Sequence, residues 1–398
     1  MTTSAAKTER LHALDTLRAI MMLLGIVLHS AVIYGTVDPG NPDRIKDPVT
    51  IHASNDFIVA FIHTFRMPVF FLVAGFFGAM LFYERSPLRM FRNRVSRIVL
   101  PFMVFIVLLY PSIKFTFNYT KYVFAGKSNV FSEALSSVST IGELIPDSTV
   151  HLWFLYYLAM ITFVSMGLGL LFLRLPRISD SLLKAYDWII RKPLLRVFVF
   201  ANITCLVFGI VGSAYVFISN SLVPDFNTFI YFFSFYMIGW GLFKSKQHLD
   251  SIMKYDWMLM ITGIILFCVY FFRPDLFGDF GHVAARSMMI WMFIFGFTGL
   301  SIRYASQHSP LMRYVADSSY WVYLIHLPLV LVLPSAIVHW PISATLKFLT
   351  VLAITSLICF VSYHYLVRDT FIGKFLNGRR YPRGVKNVLI VEDEKNTA

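Results

Sequence analysis

Long apolar stretches separated by short polar segments run along almost the whole chain. Each stretch holds about 18 to 25 residues, which is the length that an α-helix needs to cross the hydrocarbon core of a bilayer. The polar segments between the stretches are too short to hold a soluble domain. The pattern predicts ten membrane-spanning helices at residues 12–35, 54–83, 98–118, 150–173, 194–219, 226–243, 255–272, 282–302, 314–338 and 344–367.

The composition agrees with this pattern. Hydrophobic residues make up 57% of the chain and charged residues only 14%, whereas a soluble domain usually carries about 25% charged residues. We therefore predict an all-α, polytopic transmembrane helix bundle. Residues 1–370 would form one transmembrane domain, and residues 371–398 a basic and then acidic cytoplasmic tail.

The positive charges alternate from one connecting segment to the next. If the N-terminus is cytoplasmic, 25 of the 35 Lys and Arg residues fall on the cytoplasmic side. Such a bias orients membrane proteins, so it predicts that both termini are cytoplasmic. The net charge of +13 thus follows from membrane topology, and we expect no nucleic-acid partner.

The three cysteines, Cys205, Cys268 and Cys359, all lie in apolar stretches and show no paired spacing. The sequence therefore predicts neither a disulfide framework nor a metal site.

Polar residues inside the predicted spans are the strongest functional signal, because a charge at bilayer depth is costly. In the first span, Asp15, Arg18 and His29 recur at helical intervals. Arg18 and His29 are eleven residues apart, which is close to three full turns, so they share one helix face about 16 Å apart. A long ligand that reaches in from the cytoplasm could contact both.

Two other spans carry histidine at a similar depth. His63 and Arg66 are three residues apart and share a face of the second span. Counting residues from the span boundaries places His29, His63 and His326 all about 20 Å from the cytoplasmic interface. We therefore predict that the three histidines converge on one layer, although a single membrane histidine often only bonds a neighbouring carbonyl.

An arginine-rich segment follows the second span and includes Arg94 and Arg97, one helical turn apart. The positive-inside rule alone explains most such segments. Two guanidinium forks at the mouth of a span are also suited to bidentate binding of phosphates, which favours a polyphosphate ligand. Nearer the outer surface, Arg286 with His282 one turn away could meet an anionic group or only extend toward water.

The sequence resembles acyltransferase family 3 from about residue 10 to residue 370. The matching segments are the Arg18-x10-His29 pair, Met67–Gly75, Arg94-x-x-Arg97-Ile98-x-x-Pro101 and Ser319–His326. The resemblance implies that an acyl-CoA docks from the cytoplasm as co-substrate, with no bound cofactor. It also implies that His29 is the general base.

Three shorter segments resemble the family members that transfer succinyl groups to osmoregulated periplasmic glucans, in the bacterial inner membrane. They are Leu14–Ala19, the stretch from Asn55 to Met67 and His151–Leu155. On this resemblance, the catalytic group comprises His29, Arg18, His63 and Arg66. The substrate-binding group comprises Arg94, Arg97, Asp15, His326, His151 and Trp153.

Other functions stay open at this point. A related enzyme could acetylate a different surface polysaccharide. A secondary transporter also buries Arg and His, but it usually shows paired repeats, which are absent here. A non-catalytic partner of a glucan synthase would need no histidine layer. The acyl group, the acceptor and the oligomeric state do not follow from the sequence.

Overall fold

A computed structural model of the chain describes residues 2–37, 45–307 and 309–381, with side chains from His12 onward. The regular secondary structure in these ranges is entirely helical. The α-helices are α1 Thr2–Val32, α2 Ala53–Glu84, α3 Pro87–Arg94, α4 Leu100–Phe124, α5 Val130–Ser136, α6 Ile141–Leu144, α7 Trp153–Arg174, α8 Pro176–Ile190, α9 Pro193–Val211, α10 Phe226–Lys244, α11 Asp256–Phe272, α12 Asp279–Tyr304, α13 Pro310–Ile337, α14 Ala344–Ser362 and α15 Phe371–Asn377.

Nine helical segments in the described ranges are long and apolar enough to cross a membrane. One of them joins α3 to α4 through the π-helical turn Val95–Val99. Helix α11 has 17 residues and reaches the required length only together with the 3-10 turn Lys246–Met253, from which it is bent by 63°. The predicted all-α fold with about ten spans is therefore confirmed.

Two segments differ from the prediction. The span predicted at 194–219 is too long, because α9 ends at Val211 and Gly212 adopts a left-handed φ of 74°. The segment predicted as a cytoplasmic connection, 174–196, contains helix α8. Its exposed Leu182 and Trp188 are typical of a helix that lies in the membrane interface.

The chain folds into two compact units that each combine separate parts of the sequence. The first unit contains residues 2–21, 63–95 and 153–307, and the second contains residues 22–37, 45–62, 96–152 and 309–381.

Glycines allow α2 and α10 to approach closely in the first unit. A Cβ atom at Gly75 would lie 2.0 Å from the carbonyl oxygen of Tyr236. A Cβ atom at Gly239 would lie 1.9 Å from the carbonyl oxygen of Leu72. Any side chain at either position would force the two helices apart.

Arg196, near the start of α9, is a fully buried cation that holds three segments of the first unit together. Its Nη1 donates to the carbonyl oxygens of Ile190 at 3.2 Å and Ser251 at 3.0 Å. Its Nη2 donates to the carbonyl oxygen of Ile252 at 3.2 Å. The guanidinium also lies 4.8 Å from the ring centroid of Phe295. These contacts satisfy the terminal nitrogens and indicate a structural role.

The core of the second unit combines the C-terminal half of α1 with α13 and α14. Its buried members include Ile26, Ala31, Tyr34, Val322, Val330, Phe348, Val351 and Cys359. This packing holds α1 against α13, and it thereby positions the polar residues that both helices carry.

A fully buried ion pair joins α14 to the segment 45–52, which precedes α2. Lys347 Nζ lies 3.0 Å from Asp47 Oδ2, and neither side chain has exposed surface. Lys347 also donates to the carbonyl oxygen of Val338 at 2.6 Å. The other Asp47 oxygen accepts the backbone N–H groups of Val49 and Thr50. Each charge therefore has several partners, as a buried pair requires.

The first part of the predicted tail is folded. Helix α15 belongs to the second unit, where Asn377 donates to the carbonyl oxygen of Asp317 at 2.8 Å. The remainder of the predicted tail, 382–398, lies outside the described residues. The domain boundary at residue 370 stays a prediction.

Candidate active site

A cluster of three histidines lies in the second unit. The ring centroids of His29 on α1 and His326 on α13 are 5.3 Å apart. The ring of His151, which directly precedes α7, lies 5.4 Å from that of His326. The depth count placed His29 beside His326. It did not include His151, which only the family resemblance indicated.

Backbone carbonyl groups fix the protonation pattern of His326. Its Nδ1 lies 2.6 Å from the carbonyl oxygen of Tyr323 and 3.2 Å from that of Val322. Because a carbonyl oxygen only accepts, Nδ1 carries the proton and donates it. In the neutral ring, Nε2 then presents its lone pair, which is the form a base needs.

His151 is buried and tied to α13 from both sides. Its Nε2 lies 3.0 Å from the carbonyl oxygen of Leu324, so this nitrogen is the donor. In return, the hydroxyl of Tyr323 donates to the carbonyl oxygen of His151 at 2.7 Å. The preceding residue, Val150, has a φ of 47°. That conformation is strained for a β-branched residue and persists only where the surroundings impose it, which is common at functional sites.

The segment 45–52 caps the end of α1, close in sequence to His29. Lys46 donates to the carbonyl oxygens of Val32 at 2.8 Å and Gly35 at 2.9 Å, so its charge stabilises the carbonyl end of the helix. Asp56 accepts the backbone N–H and the hydroxyl of Thr36, both at 2.6 Å. No pattern in the sequence predicted this capping role of Lys46.

His63 and Arg66 lie on α2 in the first unit, three residues apart as predicted. Both side chains are half-buried. Arg66 Nη2 donates to the sulfur atom of Met67 at 3.4 Å, a weak acceptor for a charged donor. The predicted meeting of His63 with His29 and His326 stays a prediction.

A second polar cluster, in the first unit, surrounds Arg94 at the end of α3. The Nε and Nη2 atoms of Arg94 are buried and have no hydrogen-bond partner among the described residues. Arg18 lies close enough for the two positive charges to interact. Asp15 pairs with Arg18 at 2.7 Å. One carboxylate thus faces two guanidinium groups, which leaves an excess of positive charge.

The neutral part of this second cluster comes from α10 and α7. Tyr236 accepts a hydrogen bond from the hydroxyl of Thr162 at 3.3 Å. A Cβ atom at Gly78 would lie 2.1 Å from the Tyr236 hydroxyl oxygen and 3.6 Å from Arg94 Nη2. The missing side chain at Gly78 therefore makes room for the phenol and the guanidinium. Sequence reasoning missed all three neutral residues.

Arg97 belongs to the second unit and contacts α15. Its Nη1 donates to the carbonyl oxygens of Lys374 at 3.0 Å and Phe375 at 2.9 Å. Its Nη2 would lie 2.0 Å from a Cβ atom at Gly378, whose φ is 86°. Arg97 therefore stabilises the carbonyl end of α15. The predicted contact of Arg97 with a phosphate remains untested.

The remaining predicted site residue, Trp153, lies in the first unit in an aromatic cluster. Its ring stacks on Phe232 with centroids 5.5 Å apart and packs edge-on against Tyr157 at 6.4 Å. These contacts are those of a packing residue, and a contact with substrate stays a prediction.

Comparisons with known proteins bear on the family of the whole chain. A family model for an acyltransferase domain, acyltransferase family 3, matches residues 11–364. Similar curated proteins include glucans biosynthesis protein C of Salmonella paratyphi B and of Salmonella heidelberg, each 33% identical over 169 residues, which is 42% of this chain and 40% of the relative. The alignment thus spans less than half of these relatives, and no solved structure matches the chain. Because the family model covers most of its length, the chain belongs to acyltransferase family 3 and is a multi-pass membrane acyltransferase.

Proposed function

We propose that this enzyme transfers a succinyl group from cytoplasmic succinyl-CoA to a hydroxyl of a periplasmic glucan, in the inner membrane of a bacterium. The observation that carries the chemistry is the His29 and His326 pair, with rings 5.3 Å apart and His326 held in one tautomer. Similarity to glucans biosynthesis protein C supports the glucan as acceptor. The residues 14–19 and 151–155, which resemble the succinyl-transferring members, support the acyl group.

The reaction needs one base and one place for negative charge. His29 takes the proton of the acceptor hydroxyl as its oxygen attacks the thioester carbonyl. The tetrahedral intermediate then collapses, the C–S bond breaks, and the imidazolium returns the proton to the CoA thiolate. Atoms and charge balance, with a glucan ester and free CoA as products.

His326 and His151 orient the base in this scheme. The carbonyl oxygen of Tyr323 accepts the Nδ1 proton of His326, so Nε2 of the neutral ring carries the lone pair. His151 packs against the other side of His326, at 5.4 Å between ring centroids. Orienting contacts of this kind fix the ring before substrate arrives, which reduces the cost of reaching the transition state.

The donor phosphates bind at Arg94 and Arg18. The unmet Nε and Nη2 donors of Arg94 and the excess of guanidinium over carboxylate both favour a polyanion. Arg66, with His63, binds either the succinyl carboxylate or the oxyanion of the tetrahedral intermediate. Arg66→Lys separates these two functions, because lysine keeps the charge and loses the bidentate fork that a carboxylate prefers.

Replacement of the histidines tests the chemistry. We expect His29→Ala to lower the rate of CoA release from succinyl-CoA plus glucan by about 10²- to 10⁴-fold, with CoA affinity preserved. His326→Ala should lower it less, because His326 acts through His29. The matched control is His52→Ala, an exposed histidine of the second unit whose ring Nδ1 contacts Ser54. A folded His29→Ala protein with a near-normal rate would refute the assignment of the base.

Mass spectrometry of periplasmic glucans from cells with and without the gene tests the substrates. Succinyl esters that disappear with the gene would support the proposal. Acetyl esters on the glucan would indicate an acetyl donor instead of a succinyl donor. Acetyl esters on another surface polysaccharide would also indicate a different acceptor. Substrate flux across the membrane without consumption of acyl-CoA would contradict acyl transfer.

A further inference from the structure

A cleft of about 810 Å³ lies within the first unit, at the end where α9 stops and α12 begins. The charge bias of the connecting segments predicts that this end faces the outer side of the membrane. The polar residues that line it are Asn202, Ser213, Tyr215, Tyr270, Asp279, His282 and Arg286. Neither the histidine cluster nor the Arg94 cluster contributes to it.

Helix α12 supplies three ionisable groups to this outer cleft. Asp279, His282 and Arg286 are spaced by three and four residues, so they lie on one helix face. Asp279 is exposed at the mouth, and Arg286 lies about 10 Å further along the helix. His282 Nδ1 is held at 3.2 Å from the Tyr270 hydroxyl.

Arg286 has no counter-ion among the residues that the structure describes. Its Nε atom is buried and has no hydrogen-bond partner in the part of the chain that the structure describes, and no carboxylate there forms an ion pair with it. Its guanidinium carbon lies 4.9 Å from the ring centroid of Tyr215. A charge that only extended toward water would not be held against a ring with a buried nitrogen. The site therefore favours a negatively charged group.

The other wall of the outer cleft is apolar and open. Leu206 on α9 is 69% exposed, and Phe280 at the start of α12 is 79% exposed. A Cβ atom at Gly209 would have no neighbour within 4 Å. In a membrane protein, such a surface on a spanning helix faces hydrocarbon chains. The occupant must therefore combine a negative charge with an apolar chain, and a soluble saccharide lacks the second.

We propose that the outer cleft binds a phospholipid of the outer leaflet, with its phosphate at Arg286 and an acyl chain along Leu206 and Gly209. The exposed Asp279 carboxylate at the mouth favours a headgroup that also carries an ammonium group, such as phosphatidylethanolamine. This site is independent of the proposed acyl transfer, because its evidence lies in other residues and its test is binding.

Native mass spectrometry of the purified, delipidated full-length protein with added phosphatidylethanolamine tests the proposal. We expect Arg286→Gln to weaken lipid binding by about tenfold or more, since hydrogen bonds to a charged group are lost. The control is Arg273→Gln, which removes an exposed arginine of the same unit that pairs with Asp275 at 2.8 Å. This control should bind lipid as the unchanged protein does.

A second variant keeps the test valid if Arg286→Gln folds poorly. Gly209→Leu fills the open apolar wall without touching the arginine, and it should weaken lipid binding while thermal stability is preserved. Equal lipid binding by the Gln and Leu variants and the unchanged protein would refute the proposal. Arg286-dependent binding of inorganic phosphate or of a neutral malto-oligosaccharide, with no lipid binding, would also refute it and would make the cleft a site for a soluble ligand.

Discussion

Arg196 and Arg94 both bury guanidinium nitrogens in the first unit, but they differ in what surrounds those nitrogens. Arg196 donates from both terminal nitrogens to carbonyl groups at the ends of two helical segments, and only its Nε lacks an acceptor among the described residues. Arg94 has two buried nitrogens that no described acceptor reaches. A buried donor without an acceptor costs about 1–3 kcal/mol. An arginine such as Arg94 is therefore expected to serve a role other than stabilising the fold. The comparison therefore predicts a structural role for Arg196 and a ligand-binding role for Arg94.

The largest loss of stability is expected on replacement of Lys347, a fully paired cation with a structural role in the second unit. Lys347→Met leaves the Asp47 carboxylate buried without its cation, and we expect a loss of about 3–5 kcal/mol in the free energy of unfolding. Chemical denaturation in detergent measures this difference in the free energy of unfolding. The double variant Asp47→Asn with Lys347→Met should recover part of the loss. If the single variant is as stable as the unchanged protein, buried pairing is not what the fold depends on here.

Arg196→Gln tests the structural side directly. The change leaves carbonyl groups of Ile190, Ser251 and Ile252 with fewer donors, so we expect the free energy of unfolding to fall by about 2–3 kcal/mol. Thermal unfolding reports the change. CoA affinity of the folded fraction should stay the same, and a selective loss of affinity would contradict the distinction drawn from Arg94.

Arg94→Gln tests the ligand side. Loss of hydrogen bonds to a charged ligand costs about 1.5–3 kcal/mol, so the Kd for CoA should rise by about 10- to 150-fold in isothermal titration calorimetry. Thermal stability should be unchanged or slightly higher, because an unmet buried charge is removed. The comparison with Arg196 fails if stability falls and affinity does not.

Arg97→Gln should have the smallest effect. It tests whether Arg97, which the sequence analysis paired with Arg94 as a phosphate ligand, has a structural or a ligand-binding role. We expect about 1 kcal/mol less protection of the α15 amide groups in hydrogen exchange, with CoA affinity within about twofold. Replacement of the exposed Lys374 side chain is the control, since Arg97 contacts only the backbone carbonyl oxygen of Lys374. Strong loss of CoA affinity with unchanged protection would move Arg97 to the ligand class.

Local patterns in the sequence predicted much of the fold. Hydrophobic length identified the spans, and depth counting brought His29 beside His326, because both calculations depend only on the rise of a helix. The error at the end of α9 arose because the apolar pattern continues past the helix. Gly212 was the available signal, since a left-handed glycine commonly ends helices.

Long-range contacts could not be predicted in this way. The residues of the cluster around Arg94 come from α2, α7 and α10, and nothing local to Arg94 identifies Gly78, Thr162 or Tyr236. The contact of Arg97 with α15 was not predicted, because α15 lies in a segment that was interpreted as a tail. The sequence shows which polar residues are costly in a membrane, but only the packing shows which of them have acceptors.

The pair of Lys347 and Asp47 also constrains how the protein is made. The two residues are 300 positions apart, so Asp47 emerges from the ribosome long before its cation exists. Without Asp47, Lys347 would be buried without its counter-ion, so stable packing of α14 depends on the segment that carries Asp47 being in place. The segment that carries Asp47 and one of the last helices can therefore meet only late in biogenesis, after α14 has been synthesised.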